Sequence, residues 1–356
     1  MINTRINNLR ALLKKSSAAL ILSEVNRLYF SGFSSSAGAV LVTENSAFFL
    51  TDFRYFEKAA KEIKGLEVIL SQKLYSDINE ILKKEDIETL YLETDYVNLN
   101  QYSQLSSIFE GITVLNDNRL SLLISEMRSV KSKKEIDCIK SAQEITDKAF
   151  LHILNFIDCN KTEKEIALEL EFFMRRNGCD AVSFDFIVVS GKNSSLPHGT
   201  PTDKKIEFGD FVTMDFGGVV GGYRSDMTRT VAVGGISEKQ ETVYNTVLKA
   251  QETALKNIKP NAICKDIDKA ARDVIADAGF YGAFGHGLGH SVGLEIHEAP
   301  CFNTRDDTRL LSGMVLTVEP GIYLENEFGV RIEDMVAITD TDYVNLTHSP
   351  KNLIIL

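Results

Sequence analysis

The sequence predicts two domains in series, a mixed α/β domain over residues 1–124 and an α+β domain over residues 125–356. Three observations lead there. The chain has 356 residues, and at roughly 150 residues per core that length suggests about two domains. Its first 120 residues alternate short apolar runs with helical spacing, whereas from residue 132 the pattern turns helical, then β-rich, and repeats that order. Between the two patterns lies a polar, basic stretch, 117–134, with Arg119, Arg128, Lys131, Lys133 and Lys134. It reads as a domain junction.

In the first domain, residues 18–22, 39–42, 47–50 and 89–92 are short apolar runs and predict strands. Residues 55–63 and 78–84 have helical spacing. No histidine or cysteine occurs in the first 120 residues, and nothing there looks catalytic. In the second domain Ile136, Ile139, Ala142, Ala149, Phe150 and Ile153 mark one apolar helix face. Thr162 and Glu165 then form a capping box, and Asn177-Gly178 supplies the stop. Strands are predicted at 186–190, 211–216 and 228–233. A second helix starts at Ser237, with Gln240 as its box partner, and a further one spans 266–278. A β-rich stretch from 288 to 338 closes the pattern, which suggests two similar halves.

Composition narrows the function. Apolar residues make up 44% and charged residues 25%, an ordinary globular balance that excludes disorder, collagen and coiled coil. No apolar run approaches the ~18 residues that span a bilayer, so no membrane association is expected. The apolar stretch after Arg5, Arg10, Lys14 and Lys15 is too short for a signal peptide, and no export is predicted. The net charge of −11, without a basic cluster, argues against nucleic acid. Five widely spaced cysteines (Cys138, Cys159, Cys179, Cys264, Cys301) form no CxxC pair. They read as buried free thiols in a reducing cytoplasm.

The unusual residues lie between 198 and 333. Four of six histidines, His198, His286, His290 and His297, fall there. So do Asp215, Asp226, Glu319 and Glu333, each in or beside an apolar strand pattern. Asp215 ends one apolar strand, and Asp226 is expected in a second, past the glycine-rich Gly217–Gly222, which allows a hairpin return with the two acids facing. Paired buried carboxylates repel, and a cation or shared proton must relieve them. Two exposed hairpin acids would fit that pair equally well. Four such acids near one histidine segment are harder to leave at the surface. That segment reads Gly285-His-Gly-Leu-Gly-His-Ser-Val-Gly-Leu-Glu-Ile-His297. His286 and His290 have the i, i+4 spacing of a helical zinc pair, but Gly287 and Gly289 would cost about 1 kcal/mol each in a helix, and no HExxH is present. Extended backbone is the better reading. Four carboxylates and a histidine make an oxygen-rich site whose charge suits two divalent ions. Hard donors favour Mn²⁺ or another first-row ion. Two metals about 3.5–4 Å apart would hold a hydroxide ready to attack a carbonyl.

The order Asp215, Asp226, His290, Glu319, Glu333 resembles the dimetal ligand set of the pita-bread metallopeptidases, the superfamily of methionine aminopeptidases and prolidases. The matching segments are MDFGGVVGGYRSDMTRT, HGLGHSVGLEIHEAP, GMVLTVEPGIY and VRIED, with Leu196-Pro-His-Gly199. NRLYFSGFSSSAGAVLVT, near the start, is similar to the creatinase/prolidase-type N-terminal domain of Xaa-Pro peptidases (aminopeptidase P and prolidase). The resemblance covers nearly the whole chain. It implies a non-catalytic N-terminal domain, for substrate access or dimerisation, and a pita-bread catalytic domain.

The resemblance also implies residue roles. Asp226 would chelate one metal and His290 the other, Asp215 would bind one of them, and Glu319 and Glu333 would help bridge the pair. The ions would be Mn²⁺ first, with Co²⁺, Zn²⁺ or Fe²⁺ as alternatives. His198 and His297 would position the scissile carbonyl and stabilise the oxyanion. Glu319 would shuttle the proton to the leaving proline nitrogen, and Arg331 would hold a carboxylate in place. The implied substrates are proline-containing peptides, and the implied assembly is a cytoplasmic homodimer. Some dipeptide-specific prolidases carry an arginine where this chain has Cys301, with Arg305 close by. That departure favours an aminopeptidase P-like activity on longer peptides, with a dipeptide-only prolidase as the alternative. A non-catalytic binding module or a metal-free hydrolase like creatinase is a distant alternative, since all five ligand positions are filled. His286, His152, His348 and Tyr223 are expected to be structural or surface residues.

Overall fold

The computed structural model describes residues 2–356, and the chain divides at residue 128 into two compact units. The first is built on a six-stranded sheet, Glu67–Leu70, Ala47–Thr51, Ala39–Thr43, Ser17–Ile21, Thr89–Leu92 and Thr113–Val114 in spatial order. Ser17–Ile21 pairs antiparallel with Ala39–Thr43 and parallel with Thr89–Leu92. Its apolar face buries Ala18, Leu20, Leu41, Leu50, Leu90 and Leu92 against helices that include Leu74–Lys84 and Leu99–Ile108. The four predicted strands and two predicted helices are present within a few residues. Helices Ile2–Arg10, Glu24–Ser31 and Leu99–Ile108 and strands Glu67–Leu70 and Thr113–Val114 are additional. The division at residue 128 falls within the stretch 117–134, which is structured rather than a loop. It contains the helix Arg119–Ser129, which buries Leu120 and Ile124, and the start of the next helix.

The second unit carries two helix pairs, each closing its own core. Lys133–Ile153 and Glu163–Arg176 pack on the three-stranded sheet Ile187–Ser190, Phe211–Phe216, Met227–Ala232 through Ile153, Ile166, Leu170, Val212 and Met214. Glu238–Asn257 and Cys264–Ile275 pack on a five-stranded sheet through Val247, Ala250, Ile267, Leu316 and Val336. The expected capping boxes form: Thr162 with Glu165, and Ser237 with Gln240. Each is worth about 1 kcal/mol by satisfying otherwise orphaned N–H groups. This arrangement fits the expected pair of similar halves.

Two sequence expectations need correction. Asp226 is not within a strand. It sits in the gap between Tyr223–Arg224 and Met227–Ala232, because residues 217–225 form an inner hairpin rather than one tight return. The register then places Thr228, not Asp226, opposite Asp215. The cysteines are not uniformly buried either. Cys179 and Cys264 are, Cys138 and Cys301 are half-buried, and Cys159 is exposed. Among the described residues no helix is long and apolar enough to cross a membrane.

Candidate metal centre

All eight predicted site residues (His198, Asp215, Asp226, His290, His297, Glu319, Arg331 and Glu333) line one cleft of about 610 Å³. The two halves meet there through one backbone and one side-chain hydrogen bond to main-chain carbonyls. Glu333 N–H donates to Thr228 O at 3.1 Å, and Thr230 Oγ1 donates to Arg331 O at 3.0 Å. Strand ends therefore deliver the acids. Asp215 is the penultimate residue of Phe211–Phe216, Glu319 follows Val315–Val318, and Glu333 lies between Phe328–Arg331 and Asp334–Ile338. His290 is on the short strand Gly289–Ser291, in the extended backbone expected there. Gly289 is required at that place, since a Cβ would collide with the Thr317 carbonyl of the neighbouring strand.

Ligand atoms of Asp226, His290 and Glu333 all lie within 4.8 Å of one another. His290 Nε2 is 3.6 Å from Asp226 Oδ2 and 3.4 Å from Glu319 Oε1. His290 Nδ1 faces Ser291 O at 3.2 Å, which assigns the proton to Nδ1 and leaves Nε2 with its lone pair. Burial, with His297 adding to it, holds the His290 pKa down at about 4, so the ring is neutral at pH 7.

The donor set fits divalent cations. Asp215 Oδ1, Asp226 Oδ1 and Glu333 Oε1 are buried oxygens with no hydrogen-bond partner. An unsatisfied buried carboxylate oxygen is costly, and a cation is what relieves several together. Without one, burial raises Asp226 well above the usual carboxylate range, with Glu333, Asp215 and Glu319 adding to it. Burial does the same to Glu333, helped by Glu319 and Asp215, and lifts Glu319 to about 8. Asp226 and Glu333 are 4% and 1% exposed, which excludes the reading of these acids as surface residues. Hard oxygen donors with one imidazole suit a first-row or alkaline-earth dication.

Three further residues hold these acids by hydrogen bonds. Arg331 Nη2 donates to Asp215 Oδ2 at 2.7 Å, and its Nη1 to Tyr323 Oη at 2.8 Å. Burial opposes the Arg331 charge, but Tyr323, Asp215 and Glu319 outweigh it, so it stays cationic. Thr228 Oγ1 donates to Glu333 Oε2 at 2.8 Å, and Thr317 Oγ1 to Glu319 Oε1 at 3.2 Å. Tyr323, Thr228 and Thr317 went unnoticed in the sequence. Each is an ordinary residue beside or within a strand: Thr228 and Thr317 lie two residues from a candidate ligand, and Tyr323 carries no such signal.

The other polar residues divide as follows. His198 and His297 are exposed in the cleft, and the His297 ring packs edge-on against His290 at 4.4 Å. His286 is pinned between Gly287 O and Tyr323 Oη, and burial holds its pKa at about 4. Tyr223 donates to buried Glu135 at 2.7 Å, and His152 stacks on Phe173 beside Glu169. Cys301 lines the cleft. Arg305 is exposed in an adjoining pocket of about 560 Å³ that shares His286, Gly287 and Asn303 with it.

Known proteins resemble this chain throughout. A solved structure of the Xaa-Pro dipeptidase from Bacillus anthracis has a TM-score of 0.96 at 41% identity, covering 100% of both chains. The Xaa-Pro dipeptidase of Pyrococcus furiosus is 39% identical over 94% of each chain. An X-Pro aminopeptidase structure from Thermotoga maritima has a TM-score of 0.92 at 37% identity, covering 99% of this chain and 100% of its own. Residues 5–130 match the Creatinase/Prolidase N-terminal domain, and residues 137–340 match the Metallopeptidase family M24. A creatinase-type N-terminal domain followed by a pita-bread catalytic domain is therefore the fold, and the chain belongs to metallopeptidase family M24.

Proposed function

We propose that the protein is a metal-dependent Xaa-Pro dipeptidase, a prolidase. The observation that carries the reading is the convergence of Asp226, His290 and Glu333, with orphaned buried oxygens, in a cleft that also presents apolar walls at Phe184, Phe186, Ile187 and Ile296. Such walls suit a proline ring, and the tertiary Xaa-Pro amide has no N–H for the site to satisfy. The dipeptide preference draws on relatives named Xaa-Pro dipeptidases and on the exposed Arg305 beside the cleft, which would pair with a free substrate carboxylate. Cys301 cannot supply that charge.

Asp215, Asp226, His290, Glu319 and Glu333 would hold two divalent ions, Mn²⁺ being the ion this oxygen-rich set suits first. Bound there, the ions would act as Lewis acids on the scissile carbonyl and lower the pKa of water. His198 and His297, exposed in the cleft, would donate hydrogen bonds to the carbonyl oxygen as it gains charge. Glu319 would take the proton of the attacking water and deliver it to the proline nitrogen as the C–N bond breaks. Arg331 would hold Asp215 in place and stay charged throughout. The resemblance extends the proposal to a cytoplasmic homodimer.

A second reading, aminopeptidase P-like cleavage of longer peptides, is favoured by one feature. The cleft runs on into a groove of about 320 Å³ beside Leu168 and Val182, sharing Phe184, Phe186 and Pro201 with it. The test is hydrolysis of Ala-Pro, Ala-Pro-Ala and Ala-Ala by chelator-stripped and Mn²⁺-loaded protein. Mn²⁺-dependent cleavage of Ala-Pro, with little of Ala-Pro-Ala and none of Ala-Ala, is the expected result. Preference for the tripeptide would favour the second reading, and cleavage of Ala-Ala would overturn both.

A further inference from the structure

We propose that Glu163, far from the candidate ligands in sequence, is a positioning residue for His198. The proposal rests on the reading of His198 as a carbonyl-binding group. His198 stands exposed on the cleft wall, so the backbone of its loop fixes its place. That loop leaves the strand Ile187–Ser190, turns through Gly191–Ser195 and returns at Thr202. Both of its ends are tied to one carboxylate. Glu163 Oε1 accepts from Ser190 N at 2.7 Å, Ser190 Oγ at 2.8 Å and Asn193 Nδ2 at 3.1 Å. Its Oε2 accepts from Thr202 N at 3.0 Å and Thr202 Oγ1 at 2.6 Å. Glu163 is fully buried, and its own backbone N–H donates to Lys204 O. A fully buried carboxylate with five donors from two chain segments is a rigid staple, because its oxygens are shut off from water and depend on those donors for their hydrogen bonds.

The loop's crest is held separately from the other half. Gly329 N donates to Ser194 Oγ at 2.9 Å, and Arg331 Nη1 to Pro197 O at 3.3 Å. Gly329 also approaches the Ser194 carbonyl so closely that no side chain fits there. His198 thus follows a residue whose carbonyl is bonded to Arg331, on a loop whose two ends Glu163 fixes. Displacing the ends by an ångström would misplace the imidazole, and misplacement on that scale costs up to about 10²-fold in rate.

The experiment is a double-mutant cycle with Glu163→Gln and His198→Ala, assayed on Ala-Pro with metal content measured. A histidine NMR spectrum of the metal-free variants accompanies it. Glu163→Gln is expected to lower kcat about tenfold or more with metal content unchanged and KM changed less. The same substitution in the His198→Ala background is expected to cost nothing further. The His198 ring signal, identified by its loss in His198→Ala, should move in Glu163→Gln while the His290 signal stays. Losses that multiply, or an unmoved His198 signal, would overturn the proposal. Full activity in His198→Ala would overturn the reading of His198 and this proposal with it. If the protein has no activity on Ala-Pro, the functional reading fails and the NMR comparison alone decides on Glu163. Thr202→Val, which removes one donor, replaces Glu163→Gln in the cycle if that variant does not fold.

Discussion

Arg331 and Asp215 form a buried ion pair, Nη2 to Oδ2 at 2.7 Å, that joins a strand of one half of the catalytic domain to a strand of the other. The guanidinium also bonds Thr228, Tyr323 and the Pro197 carbonyl, so four partners read its planar fork. Arg331→Lys keeps the charge but cannot reproduce that geometry. It is expected to lower kcat on Ala-Pro or metal affinity by roughly 10–100-fold, measured by steady-state kinetics and metal titration. Wild-type values in both would contradict the role given to the pair.

Asp226→Asn removes one negative charge from the tightest donor group. Metal bound per chain should fall, and Ala-Pro hydrolysis should drop by about 10³-fold, as expected for several kcal/mol of lost Lewis-acid stabilisation. Elemental analysis of the dialysed variant, paired with the assay, checks both.

Metal uptake should release protons. In the metal-free protein burial pushes Glu319 up to about 8 and Asp226 and Glu333 well above the carboxylate range, so protons occupy the site at pH 7. Cations displace them, and affinity should rise with pH between about 5 and 8. Calorimetry in two buffers of different ionisation enthalpy reads the release. The stability of the metal-free protein runs the other way. A raised folded-state pKa stabilises fully below the unfolded value, near 4.5 for Glu319, and is lost as pH rises through 8. Metal-free protein should therefore melt lower at pH 8 than at pH 5 with respect to this site, and Mn²⁺ should restore the loss.

Behind Glu333, Asp334 is buried with Arg229 at 2.8 Å and Lys351 at 2.6 Å. Burial alone would raise Asp334, but Arg229 and Lys351 outweigh it and hold it at about 2. Its contribution is therefore present above pH 3.8 and lost as pH falls through 2. Arg229→Leu should cost about 3–5 kcal/mol by breaking the buried pair and leaving Lys351 as the charge partner of Asp334. Denaturant unfolding at pH 7 measures it.

Gly289→Ala tests the packing that sets His290. The added methyl meets the Thr317 backbone, which cannot swing aside as a side chain could. A loss of about 1–3 kcal/mol is expected, together with weaker metal binding, since His290 is the next residue. Thermal unfolding and metal titration of the variant read the two effects.

Four of the five candidate ligands were legible because each is an acid in or beside an apolar strand pattern, a place where charge is rarely free, and His290 because it stands in a glycine- and histidine-rich segment. Helix ends marked by capping boxes were legible too, as at Thr162 and Ser237. Glu24–Ser31 was not, since Asn26, Arg27, Tyr29, Phe30 and Ser31 are all buried and leave no single apolar stripe to read. The place of Asp226 was misread because positive φ angles at Gly221 and Gly222 close an inner hairpin, which a glycine-rich run alone does not specify. Thr228, Thr317 and Tyr323 gain their meaning only from register and from contacts across the chain. Glu163 reads in sequence as a first-turn helix acid, and only the fold brings the loop of His198 onto it.

A two-metal prolidase site is tested most directly by titrating chelator-stripped protein with Mn²⁺ and measuring bound metal and Ala-Pro hydrolysis in the same samples. No cleavage is expected without metal, with activity that rises with occupancy and saturates near two ions per chain. Activity that survives stripping, or metal uptake without any cleavage of Ala-Pro, would overturn that assignment.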